Sequence, residues 1–139
     1  MDKSNSTRAQ QIAQAAHAFE KRRTGHVPEW VTVVLREDTL VITLHGTLTP
    51  AERALAESPA GVAWVQEFYR QLFLNSADSL RQEIKRITGV EVREATGQGG
   101  RTTGTVVDMF ATGTMVQVFL LARSVPNDTW SGRGPDDWT

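Results

Sequence analysis

The stretch "LVITLHGTLTPAER", residues 40–53, changes its period in the middle, and that change decides the fold. Up to His45 the chain alternates. Leu40, Ile42 and Leu44 fall on one face of a strand, and Val41, Thr43 and His45 fall on the other. From Thr49 onward the residues are those of a helix start. Thr49 and Glu52 have the T-x-x-E spacing of a capping box, and Pro50 occupies the first helical position, where a missing N–H costs nothing. The sequence therefore predicts a strand ending near Gly46 and a short helix over about 50–57. Removing the cap by Thr49→Ala is expected to cost about 1 kcal/mol. This helix-start chemistry accounts for Thr49, Pro50 and Glu52 as structural residues. It leaves His45 and Arg53 unexplained, and these become ligand-binding candidates.

Upstream, "WVTVVL" (30–35) is a second run of β-branched residues, and "REDT" separates it from Leu40. The spacing predicts an antiparallel hairpin. Residues 8–24 carry Ile12, Ala16 and Phe19 at helical spacing, with Ser6 or Thr7 as the cap. Lys21, Arg22 and Arg23 fill the last turn before Gly25, read here as charge set against the helix dipole.

Downstream, Ser58 and Pro59 open a long helix to about Thr88. Its stripe runs through Val62, Val65, Tyr69, Leu72, Leu80, Ile84 and Ile87, widened by Trp64, Phe68 and Phe73. That width predicts burial against a sheet and against a second subunit, hence a homodimer. The polar "NSAD" (75–78) predicts a bend, and Gly89 a stop. "VEVREA" (90–95) reads as a third strand paired with "MVQVFLLA" (115–122), and "TVVDMFA" (105–111) also has strand character. "GQGGRTTG" (97–104) reads as a loop, with Arg101 as a further ligand-binding candidate beside Arg70 of the long helix. After Arg123, Gly, Pro, Asp and Ser dominate, and a disordered tail is expected.

The expected architecture is thus α+β, in the order α-β-β-α-α-β-β(-β), with a mainly antiparallel sheet and helices on one face. Residues 1–7 are a flexible start, 8–122 the domain and 123–139 the tail. A chain of 139 residues suits one domain. A net charge of −1 recruits no nucleic acid, so none is expected as a partner. With no cysteine there are no disulfides, thiolate metal sites or thiol nucleophiles. Met1–Gln14 lacks the apolar core of a signal peptide, and no apolar run is long enough to span a bilayer. His17, His26 and His45 form no metal-binding spacing, so no metal is expected. The glycine-rich loop matches neither phosphate-binding fingerprint, and no G-x-S-x-G elbow occurs. No catalytic residue and no cofactor are therefore expected, and the protein is read as non-enzymatic.

The order of blocks resembles one bacterial family. Gly25 and Pro28 follow the first helix. The hairpin "REDTLVITLHG" and the block "LTPAER" (48–53) come next. Then follow Arg70, "ITGVEV" (87–92) and "VFLL" (118–121). Together these are similar to the MpsC family, which includes YbcI-like proteins and is named for a component of a sodium-translocating, membrane potential-generating system. The resemblance spans residues 8–122. "GHVP" (25–28) replaces the family's more usual "GRGP", the region between Val92 and Val116 looks extended, and the tail is additional. The resemblance implies an accessory or regulatory protein of a cation-translocating or inorganic-carbon-uptake membrane system. Transporter- or antiporter-like subunits would be its partners, and its location would be cytoplasmic, peripheral at the inner membrane. It carries over no catalytic residues. The alternative read from the residues is a cytosolic small-molecule sensor, with its site near 44–53 and the glycine-rich loop.

Overall fold

The computed structural model describes residues 6–93 and 104–134. The elements are α1 (Arg8–Thr24), β1 (Trp30–Arg36), β2 (Thr39–His45), α2 (Pro50–Leu55), α3 (Pro59–Thr88), β3 (Thr105–Met109), β4 (Met115–Leu120) and β5 (Asp128–Gly132). The five strands form one antiparallel sheet in the order β3-β4-β2-β1-β5. The α+β class and the element order agree with the sequence reading.

Helices α1 and α3 cover one face of the sheet. The strands send alternate residues toward them: Val31, Val33 and Leu35 from β1, and Leu40, Ile42 and Leu44 from β2, all 1% exposed or less. Aromatic rings bridge the layers. Phe19 of α1 meets the edge of Phe73 on α3, and Phe73 lies 6.2 Å from Phe119 of β4. Burying a side chain of this size stabilises by roughly 1.5–3 kcal/mol, so this aromatic contact fixes how the two helices sit on the sheet.

The turns follow the expected chemistry. Thr7 caps α1 through Gln10 N–H, and Ser58 caps α3 through Gly61 N–H. The β1–β2 turn needs only Glu37 and Asp38, with Glu37 at φ 57°, the positive φ that tight hairpins demand. Helix α3 runs without interruption through 75–78. Ala77 is buried there, and the Ser76 hydroxyl donates to Leu72 O, so the polar stretch changes the solvent face without ending the helix.

Two expectations need correction. "VEVREA" does not form a strand in its described part. Val92 makes one isolated bridge with Leu121, because β3 occupies the edge of β4 from Met109 to Thr105. The chain at 92–93 touches only the end of β4, through Arg93 N–H to Leu120 O. The tail is not disordered through its length either: Asp128–Gly132 is β5, paired with β1. Its inward residue Trp130 packs against the core, and Asp128 accepts from Ala9 N–H at the start of α1. It is an edge strand, held by its pairing with β1 rather than marked by its own composition.

Among the described residues no element packs on the outer face of the sheet. The register lays out its rows. One runs Val106–Val118–Val41–Val34–Thr129 across all five strands. The next runs Asp108–Val116–Thr43–Thr32–Ser131. Leu120, Thr39 and Arg36 lie beyond the first row, and His45 and Trp30 beyond the second.

Candidate functional site

The 44–53 block forms a junction rather than a pocket. Gly46 adopts φ 69°, a conformation that favours glycine, so the strand leaves the sheet at a position suited to it, beside the Glu29 side chain. Thr47 then donates from both its N–H and its hydroxyl to Gly113 O, at 3.2 and 2.7 Å, tying the block to the β3–β4 turn. Both bonds of the capping box form. Glu52 N–H donates to Thr49 Oγ1 at 3.2 Å, and Thr49 N–H donates to Glu52 Oε1 at 2.9 Å.

Glu52 has a second task that sequence reasoning missed. Tyr69 of α3, 1% exposed, donates its hydroxyl to the same Glu52 oxygen at 2.5 Å. Burial pushes the phenol pKa up, and the bond to the Glu52 carboxylate pushes it further. The tyrosine therefore stays neutral as a donor, and the cap of α2 is locked to the core face of α3.

The ligand-binding candidates are dispersed. His45 is exposed on the outer sheet face, with Nδ1 3.3 Å from the Thr114 hydroxyl. Arg53 is exposed on α2, its backbone N–H donates to Thr49 O, and its side chain makes no hydrogen bond or ion pair among the described residues. Arg70 lies on α3 and donates through Nε and Nη2 to Glu67 at 3.2 and 3.1 Å. No hydrogen bond or ion pair joins His45, Arg53 and Arg70, and Arg101 lies outside the described residues. Arg70 and Glu67 do line a cleft of about 260 Å³ between α3 and β3, with Gln66, Val107, Asp108 and Met109. Gln66 closes one end by donating to Met109 O at 2.8 Å. Among the described residues, no group of three or more His, Cys, Asp or Glu is placed to hold a metal ion.

A buried ionic cluster lies between α1, α3 and β4. Glu20 is 1% exposed and pairs with Arg23, whose guanidinium also sits 4.9 Å from the centre of the Phe19 ring. Gln117 of β4, fully buried, faces the same region. Burial pushes the Glu20 carboxyl pKa up, opposed by the charge of Arg23 and by hydrogen bonds from Arg23 and Gln117. Arg23 therefore does not act chiefly as a surface charge on the helix dipole, as its place in the basic triplet implied. The signal was present in the pattern: Glu20 continues the stripe of Ile12 and Ala16, and Gln117 takes an inward place between Met115 and Phe119.

A model of the family described as "Na+-translocating membrane potential-generating system (MpsC)" matches residues 4–123, from before α1 through the whole of β4. The chain belongs to the MpsC family. The matched span of this MpsC-family chain contains the Thr49–Glu52–Tyr69 junction, the Glu20–Arg23 pair and the Arg70 cleft. It is 27% identical over 93 residues to YbcI of Bacillus subtilis (strain 168), described as an uncharacterized protein, covering 67% of this chain and 75% of YbcI. No solved structure matches. Among the described residues, no helix is long and apolar enough to cross a membrane.

Proposed function

We propose that this chain is a non-enzymatic accessory or regulatory component of a cation-translocating or inorganic-carbon-uptake membrane system. Transporter- or antiporter-like subunits would be its partners, and its place would be the cytoplasmic side of the inner membrane. The observation that carries the reading is the family match over residues 4–123. The engagement of the ionisable groups supports it. Glu52 and Tyr69 are bonded to each other and to the α2 cap, and Glu20 is sealed against Arg23 in the core. Groups held this way suit a scaffold role.

The test is deletion of the gene, followed by membrane-potential measurement under sodium load and by growth at low carbon dioxide. Loss of potential, or growth that needs added carbon dioxide, supports the reading, and complementation by the intact gene attributes it. A deletion strain unchanged in both counts against it.

A second reading rests on the cleft beside Arg70. Its arginine, glutamate and glutamine suit a small polar ligand, and a sensor domain would bind it there. A thermal-shift screen with nucleotides, phosphate and bicarbonate tests this. Stabilisation abolished by Arg70→Ala supports a sensor, and no stabilisation by any of them removes it.

A further inference from the structure

We propose that the outer face of the sheet is the contact surface for a second copy of this chain, in a face-to-face dimer. The inference is independent of the membrane-system reading. An antiparallel sheet with one open face ordinarily carries polar side chains there. Here the central row presents four valines from four adjacent strands, flanked by threonines, and Leu120 and Trp30 extend the apolar surface. Val106 is 62% exposed, Leu120 39% and Trp30 38%.

Area and charge identify the occupant. Strands about 4.8 Å apart, with outward residues about 6.8 Å apart along each, give the fifteen outward positions of these rows a face of roughly 500 Å². That lies in the upper part of the roughly 300–600 Å² of the largest patch on a typical monomer and is more than half of the roughly 800 Å² per partner of a stable interface. Leaving histidine aside, the charged side chains on these rows are Arg36 and Asp108. They are opposite in sign, at opposite corners, and both exposed. Among the described residues the charges on these rows therefore cancel, which favours no strongly charged partner. The face is complementary to itself. When two such faces stack with strands crossing near a right angle, one of the two packings that sheets adopt, each Arg36 comes over the other copy's Asp108.

The width of the α3 stripe does not require a subunit contact on the helix. Phe73 is spent inside the chain, and Trp64 and Phe68 stack on each other at 5.1 Å. Trp64 and Phe68 stay exposed there, at 54% and 38%, and the variants below separate that face from the sheet.

The experiment measures the mass of the full chain at micromolar concentration by light scattering. The expected result is twice the 15.4 kDa of the chain, falling to a single chain in Val118→Lys while Trp64→Lys stays dimeric. Circular dichroism checks that both variants fold. Because the chain has no cysteine, Val41→Cys gives a second readout that keeps the core intact. A short bis-maleimide should join two Val41→Cys chains and leave Trp64→Cys chains unjoined. A monomeric wild type, or a dimer broken and cross-linked at Trp64 instead, overturns the proposal.

Discussion

Replacing Glu52 by alanine tests whether one carboxylate locks the start of α2 to α3. Glu52 Oε1 accepts from Thr49 N–H at 2.9 Å and from the Tyr69 hydroxyl at 2.5 Å. Loss of the capping-box arm costs about 1 kcal/mol. Loss of a charge-assisted bond to a phenol 1% exposed adds roughly 2 kcal/mol, because the hydroxyl keeps only its 3.4 Å contact with Thr47 O. Glu52→Ala is therefore expected to lower unfolding stability by about 3 kcal/mol, against about 1 kcal/mol for Thr49→Ala. Tyr69→Phe removes the donor and leaves the cap intact. Urea unfolding of Glu52→Ala, Tyr69→Phe and the double variant closes a mutant cycle, with an expected coupling of about 1–2 kcal/mol. Costs that add within about 0.5 kcal/mol would falsify the shared-oxygen lock. A Glu52→Ala cost no larger than that of Thr49→Ala would reduce Glu52 to a cap alone.

Three further outcomes are expected. Glu20 has a folded pKa raised by burial, so the folded state holds its proton to higher pH than the unfolded state. That contribution is fully present below the unfolded pKa and is lost as pH rises through the folded value. Urea midpoints from pH 4 to 8 should therefore fall in wild type relative to Glu20→Gln, and parallel profiles would exclude a shifted Glu20. A Cβ on Gly61 would lie 1.7 Å from Leu55 O, so Gly61→Ala must push α2 off the first turn of α3. A cost of about 3 kcal/mol or more is expected by thermal denaturation, and a variant that melts with wild type contradicts the close packing. Truncation after Ser124 removes β5 and the Asp128 bond to α1, and uncovers the β1 edge. Such a chain should lose cooperative unfolding and aggregate, whereas unchanged melting would make β5 dispensable.

The parts legible in the sequence were those whose physics is local. The hairpin from Trp30 to His45, the Thr49 box with Pro50, and the α3 boundaries at Ser58 and Gly89 each depend on residues a few positions apart, and each stands in the structure. Alternation and capping are short-range rules, so one strand or one helix end carries its own signature. Misreadings arose where an element's identity depends on a distant neighbour. Val92 has strand chemistry, but β3 takes the edge it would need. Asp128–Gly132 has tail chemistry, but β1 offers it an open edge and α1 offers its carboxylate an N–H.

The candidate site divides in the same way. The sequence by itself determined the α+β class, the elements from α1 to α3, the family, and the structural role of Thr49, Pro50 and Glu52. Only the tertiary structure decided that Tyr69 shares the Glu52 carboxylate, that Glu20 and Arg23 leave the surface for the core, and that His45, Arg53 and Arg70 point to separate places. The reason is geometric. A helix or strand sets the direction of a side chain from its own period, but which groups then meet is set by how α1, α3 and the sheet dock. That docking follows from burying Phe19, Phe73 and Phe119 together, three aromatics a hundred residues apart from first to last.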